Sequence, residues 1–396
     1  MKTQPKVLST VILLAPFIFS FAFAMDIYIP VVPAMKAYFH SSQADIQLTL
    51  SLFMIITGLG QLIVGPTTDN YGRKTILMLG AMLFAIGSLL CSIAPSFAIL
   101  LIGRIVEAAG GCAMMVVANA IVRDQFSGNE ATKIYSFLNC GVAMSPLFAP
   151  IIGSYLGAWF GWRAGFIFLT VLGLIVLGLA FMRIKETLDP KNRVPLNSEI
   201  FLRYWHILSN KTFLVFTCCT TAGLTIFFVF FSSSPYIVIN LLHAPVEHFG
   251  YYFFTVGAAF FVGSLISGKI ADSLGAYRTA LIGSVIMLSA GLVMWVWYAL
   301  GGLSTMQYLV PCMIAGIGGS LMMGAGAGGA MEPFAKSAGS AAALVGCLQF
   351  LVSAAIGSFV MHWEIHSTIP LAITITSSSL LALIILCLHK MIKDKV

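Results

Sequence analysis

The sequence predicts an all-α membrane protein of twelve transmembrane helices, arranged as two bundles of six. Three observations carry that prediction. Hydrophobic residues make up 59% of the chain and charged residues only 9%, whereas a soluble domain is typically about a quarter charged. Apolar runs of about 20 residues, the length that crosses ~30 Å of hydrocarbon, recur from one end to the other. Basic residues are strongly biased. With both termini cytoplasmic, eighteen Lys and Arg fall in inner segments and tails, and only Lys36 and Arg163 fall in outer loops, as the positive-inside rule requires. No segment alternates with period two, which excludes a transmembrane barrel. The net charge of +7 follows from this topology and from contact with anionic lipid heads, so no nucleic-acid partner is needed.

The first six spans are read near 8–30, 45–66, 75–95, 97–121, 133–157 and 162–183. The first imitates a secretory signal, with Lys2, Lys6 and the small-residue site Ala22-Phe23-Ala24. Its apolar stretch is long for a signal and eleven spans follow, so it is read as a span. Residues 1–183 form the first bundle. The polar interval 184–211 is read as a cytoplasmic linker, broken by Pro190 and Pro195. Within it Ile200, Phe201, Tyr204, Trp205 and Leu208 share one helical face after Ser198, which predicts a helix lying in the membrane interface. Residues 212–396 form the second bundle, with spans near 212–235, 248–270, 277–299, 305–329, 338–360 and 367–389. The eight cysteines all fall inside spans without metal-ligand spacing. They read as small packing residues.

The halves repeat. The inner turn after the second span reads Gly65-Pro-Thr-Thr-Asp69-Asn-Tyr-Gly72-Arg73-Lys74, and the turn after the eighth reads Gly268-Lys269-Ile-Ala-Asp272-Ser-Leu-Gly275-Ala-Tyr-Arg278. Glycine permits a tight turn, Asp69 can cap a helix start, and Arg73 and Lys74 suit an anionic surface. Parallel six-helix repeats are one architecture of secondary transporters, with the site between them near the midplane.

The turn from Gly65 to Lys74 resembles the signature loop of the major facilitator superfamily, and the resemblance implies the fold of that family and a gating role for the loop. Three further stretches narrow it to the drug:proton antiporters, in the bicyclomycin and chloramphenicol resistance subfamily. Arg104-Ile-Val-Glu107-Ala-Ala-Gly110-Gly111 is similar to the family's helix-four motif, with Glu107 in a place usually held by Gln or another polar residue. Ser145-Pro146-Leu-Phe-Ala-Pro150-Ile-Ile-Gly153 is similar to the helix-five antiporter motif, with Ser145 replacing the usual glycine. Two prolines and a glycine in one span imply kinks and close helix contact. Asp26-Ile-Tyr28-Ile-Pro30, with Arg123-Asp124 closing helix four and joining the gating set, completes the match.

Away from the span ends, only Asp26, Arg104 and Glu107 are charged. Charges in hydrocarbon are costly and ordinarily face a wet cavity and one another. At ~1.5 Å per residue, Asp26 lies roughly 6 Å, Arg104 roughly 10 Å and Glu107 roughly 15 Å below the outer boundary, so all three can reach one cavity. Desolvation and a neighbouring guanidinium act oppositely on a carboxylate's proton affinity. Asp26 is therefore expected to bind the coupling proton and Arg104 to hold its charged form. Glu107 is expected either as the static partner of Arg104 or as a second proton or cation site. A related antiporter type carries a second acid on helix one, but Ile18 and its neighbours are uncharged, which weighs against strongly cationic drugs. Phe19, Ala22, Tyr28, Asn139, Met144, Phe227, Phe230 and Phe231 are candidates for the substrate pocket, because aromatic and Met surfaces suit apolar ligands of varied shape.

Two patterns are rejected. The glycine-rich Gly316–Gly329 lacks the strand and acid of a dinucleotide fold and suits helix packing. His362-Trp-Glu364-Ile-His366 is not a metal motif. No metal, organic cofactor or nucleotide is expected, and the proton is the coupling ion. The expected protein is no enzyme but a monomeric proton-coupled exporter of small, largely apolar compounds in a bacterial inner membrane, in contact with lipid. An exporter of a metabolite or siderophore, and a non-transporting membrane sensor, are the alternatives.

Overall fold

The computed structural model describes residues 7–126, 128–189, 191, 193, 199–301, 303–363 and 367–393. The described residues contain no strand. Among them, eleven helices are long and apolar enough to cross a membrane. The first group comprises α1 (Val7–Asp26), the short α2 (Val32–Phe39), α3 (Gln43–Tyr71), α4 (Arg73–Ile93), α5 (Phe97–Gln125), α6 (Gly128–Phe160) and α7 (Arg163–Arg183). After α8 (Glu199–Leu208) come α9 (Lys211–Pro235), α10 (Val246–Ala299), α11 (Thr305–Met331), α12 (Ala338–Met361) and α13 (Ile369–Lys393).

The 54 residues of α10 replace two expected spans. At ~1.5 Å per residue, such a helix would far exceed one crossing. Gly275 interrupts it with φ 79° and ψ 164°, a backbone region that is essentially glycine-only. Gly72, between α3 and α4, has φ 97° and ψ 157°. The repeat read in the sequence is thus a repeat of backbone geometry, with each glycine three residues after an aspartate.

Two local expectations are corrected. The first helix stops at Asp26, not near residue 30. A 3₁₀ turn (Ile29–Val31) and α2 follow, because Pro30 and Pro33 have no N–H to continue an α-helical ladder. Span seven runs on past Pro235 as a π-helical turn, Tyr236–Leu241. The linker helix α8 forms over Glu199–Leu208, where Tyr204, Ile207 and Leu208 pack with Phe213, Phe216, Phe334 and Leu344, while Trp205 is 71% exposed. Its docking is cross-linked by Tyr204, whose hydroxyl donates to the Leu62 carbonyl at 3.3 Å. Ser198, Pro190, Pro195 and the Glu364–His366 part of the rejected metal pattern lie outside the described residues.

The helix groups meet along two seams, α3 against α12 and α6 against α10. Glycines let backbones approach at both. Gly58 lies on Cys347, and Gly250 and Gly257 lie on Ile151 and Pro146. The glycine-rich run of α11 serves the same purpose, Gly319 lying against Gly223 of α9 and Gly318 against Gly283 of α10.

Candidate functional site

The charged centre is built on α5. Its Gly103 and Gly110 admit α4 at Cys91 and Phe84, and Gly87 of α4 abuts the Glu107 backbone. This close packing leaves Arg104 and Glu107, one turn apart, both 0% exposed. Arg104 Nη1 pairs with Glu107 Oε2 at 2.5 Å and donates to the Ala24 carbonyl at 3.1 Å. Its Nε donates to the Thr49 carbonyl at 3.3 Å. The guanidinium carbon lies 4.5 Å from the Tyr28 ring centre and 4.4 Å from that of Phe53, a cation–π sandwich. Ser88 Oγ donates to Glu107 Oε1 at 2.7 Å. Four helices, α1, α3, α4 and α5, thereby converge on one ion pair.

Asp26 ends α1 and is 3% exposed. The expected pairing with Arg104 is not formed. Arg104 finds an anion on its own helix at the i,i+3 spacing that faces side chains together, and its other bonds go to carbonyls. Asp26 instead accepts a 2.7 Å hydrogen bond from Ser145 Oγ of α6, and among the described residues it has no cationic partner. The glycines of α6 make this approach: a Cβ at Gly153 would fall on the Ile27 carbonyl, and one at Gly157 on the Val31 side chain. On its other side, α6 meets α10 through the Pro146 carbonyl beside Gly257 and through Ser154 Oγ, which accepts from the Gly250 amide at 3.1 Å. Ser154 in turn donates to the Pro150 carbonyl at 2.7 Å.

The pocket candidates separate. Phe19 is half-buried beside Phe23, 5.8 Å between ring centres, and beside Gly141. Ala22 is buried, Met144 half-buried and Asn139 exposed. Tyr28 is placed against Arg104, its hydroxyl 3.1 Å from Thr49 Oγ1. Phe227, Phe230 and Phe231 join a buried aromatic cluster with Phe253, Phe260 and Tyr308. In it Phe227 lies 4.0 Å from Phe260, and Phe231 lies 4.9 Å from Phe253, between ring centres. The last three come from other spans, and no local spacing announces them.

Of the expected signature loop only Gly72 leaves helical geometry, because α3 runs on to Tyr71, and Asp69 pairs with Arg73 instead of capping a helix start. Buried Arg73 pairs with Asp69 at 2.6 Å and Asp124 at 2.7 Å, and Arg123 reaches Asp69 at 3.6 Å. Lys74 Nζ donates to the Phe181 carbonyl at 3.1 Å, while Gly65 has open space beside it. Sequence reasoning missed Glu186. Its carboxylate accepts from the Arg73, Lys74, Thr187 and Leu188 amides at 2.9–3.2 Å, capping α4, where orphan N–H groups and the helix dipole favour an anion. A Cβ at Gly72 would collide with that carboxylate. Also missed were two contacts between the helix groups, Gln47 Nε2 to Ser232 Oγ and Ser358 Oγ to Ser51 Oγ, both 2.7 Å.

The family profile described as Major Facilitator Superfamily matches residues 14–358. The chain belongs to the Major Facilitator Superfamily. Within this superfamily it is 30% identical to a chloramphenicol resistance protein of Pseudomonas aeruginosa, over 89% of this chain and 84% of that one. It is 28% identical to a bicyclomycin resistance protein homolog of Haemophilus influenzae, over 89% and 88%. The resemblance to that resistance subfamily, read from the motifs, therefore extends along nearly the whole chain. Two solved structures share the fold: a peptide transporter in complex with sulfate, with TM-score 0.76 at 13% identity covering 99% of this chain and 96% of that one, and a D-xylose-proton symporter, with TM-score 0.73 at 14% identity covering 96% and 97%. This facilitator is a multi-pass membrane transporter and not an enzyme.

Proposed function

We propose that this facilitator is a proton-coupled efflux pump of a bacterial inner membrane, exchanging protons for small, largely apolar or neutral compounds by alternating access. In this reading Gly275 divides α10 into two crossings, 246–274 and 276–299. The total becomes twelve, and both termini are cytoplasmic, consistent with the basic inner loops. The bundles are residues 1–183 and 212–396, joined by the linker 184–211.

One observation carries the reading: Asp26 is a carboxylate buried within a span, partnered by a hydroxyl and, among the described residues, by no cation. An ionised carboxylate in such a place is costly, and a protonated one is not. Proton uptake and release there can therefore drive exchange, with substrate admitted when the site is neutral. The aromatic surfaces of Phe227, Phe230 and Phe231 supply apolar contact. The names of the resistance-protein relatives support a drug-like cargo. The energy suffices: one charge across 100 mV contributes about 2.3 kcal/mol and one pH unit about 1.4 kcal/mol, enough for a neutral-substrate gradient of more than a hundredfold.

The reading is tested by reconstituting the protein in liposomes and measuring proton release on adding chloramphenicol-like compounds or siderophores. Release by wild type that disappears in Asp26→Asn is the expected result. Equal release by both proteins would remove Asp26 from the coupling step.

A further inference from the structure

Glu107 is where this chain departs from the helix-four pattern of its family, and its carboxylate has partners on both oxygens. Oε2 accepts from Arg104 and Oε1 from Ser88, with the group 0% exposed. The side chain thus reaches Ser88 on α4, whereas Asp26 engages Ser145 on α6. The other titratable groups acting on the pair are Tyr28 and Cys91, both uncharged near neutral pH. Among the described residues, no third charge competes for Arg104 or Glu107. Because the guanidinium is also tied to the Ala24 and Thr49 carbonyls, neutralising Glu107 would leave an unbalanced cation fixed in a dry site, a strongly unfavourable state.

We propose that Glu107 is a positioning residue, the permanent counter-ion of Arg104, and that Asp26 is the one carboxylate in the spans that exchanges a proton. The ion pair clamps α1 two residues before Asp26 without consuming the charge of Asp26. The transport consequence rests on the efflux reading. One proton leaves per turn, so exchange for an uncharged compound moves one net charge and draws on membrane potential as well as on the pH gradient. Exchange for a monovalent cation moves none. Uncharged compounds are therefore the class this centre drives best.

The test is infrared titration of the reconstituted full-length protein from alkaline to acid pH, following the C=O stretch of buried carboxylic acid. Wild type and Glu107→Gln should gain the same band, and Asp26→Asn should gain none. A band present in Asp26→Asn and lost in Glu107→Gln overturns the proposal, and no band in wild type overturns its assignment of Asp26. If Glu107→Gln does not fold, wild type carrying carboxyl-¹³C glutamate answers the same question, because an isotope shift of the buried-acid band refutes a permanently ionised Glu107. Calorimetry in two buffers of different ionisation enthalpy then counts protons released per chloramphenicol-like ligand bound. An equal count in wild type and Glu107→Gln supports the proposal, and a lower count in the variant overturns it. If wild type releases no proton on binding, the efflux reading fails, while the infrared result still decides the role of Glu107.

Discussion

Ser145 Oγ donates a 2.7 Å hydrogen bond to Asp26 Oδ2 across 119 residues of sequence. It joins the last residue of α1 to the helix that packs on the second group of spans. A hydrogen bond to a charged group is worth roughly 1.5–3 kcal/mol, so Ser145→Ala should slow transport by about tenfold or more. Ser145→Thr, which keeps the hydroxyl, should retain most of the rate. Uptake into inverted vesicles at matched protein levels measures both.

Gly153 sets the distance between α1 and α6. A methyl there meets the Ile27 carbonyl, so Gly153→Ala should displace Asp26 from Ser145 and lower transport at least tenfold. Gly178→Ala, on α7 with open space beside it, should transport like wild type. Equal activity of the two variants in the same vesicle assay would contradict the geometry.

Gly72 and Glu186 form a single device at the start of α4. Gly72→Ala forces a side chain into glycine-only backbone space and onto the carboxylate, at a cost of about 1–3 kcal/mol. Glu186→Gln removes the charge from a helix cap and should cost about 1 kcal/mol. Both should lower the thermal midpoint in detergent, the glycine variant more. An unchanged midpoint for Gly72→Ala would show that the loop relaxes without Glu186.

Gln47 and Ser232 hold the helix groups together at one end of the bundle. If alternating access requires that end to part, cysteines at both positions should cross-link, arrest transport and release it on reduction. Full transport by the cross-linked protein would rule out separation there as part of the cycle.

Much of this molecule was legible along the chain, because its signals are local. Each span is a run of apolar residues, and Arg104 with Glu107 is an i,i+3 pair whose contact follows from helix geometry alone. The Asp69–Gly72 and Asp272–Gly275 spacings announced two glycine turns, and both have positive φ. Glu186 was missed because nothing near residue 186 shows that its carboxylate caps a helix starting at Arg73.

The sequence by itself determined that the chain crosses a membrane many times, that it repeats, and that three charges lie in the spans away from their ends, since composition and period are properties of neighbouring residues. Only the tertiary structure decided how those charges divide. Glycine contacts at residues 153 and 157 bring α6 onto the end of α1, leaving Asp26 with Ser145 while Arg104 keeps its neighbour on the same helix. Which helices approach closely enough for a 2.7 Å bond depends on packing between distant segments, and no local pattern encodes it.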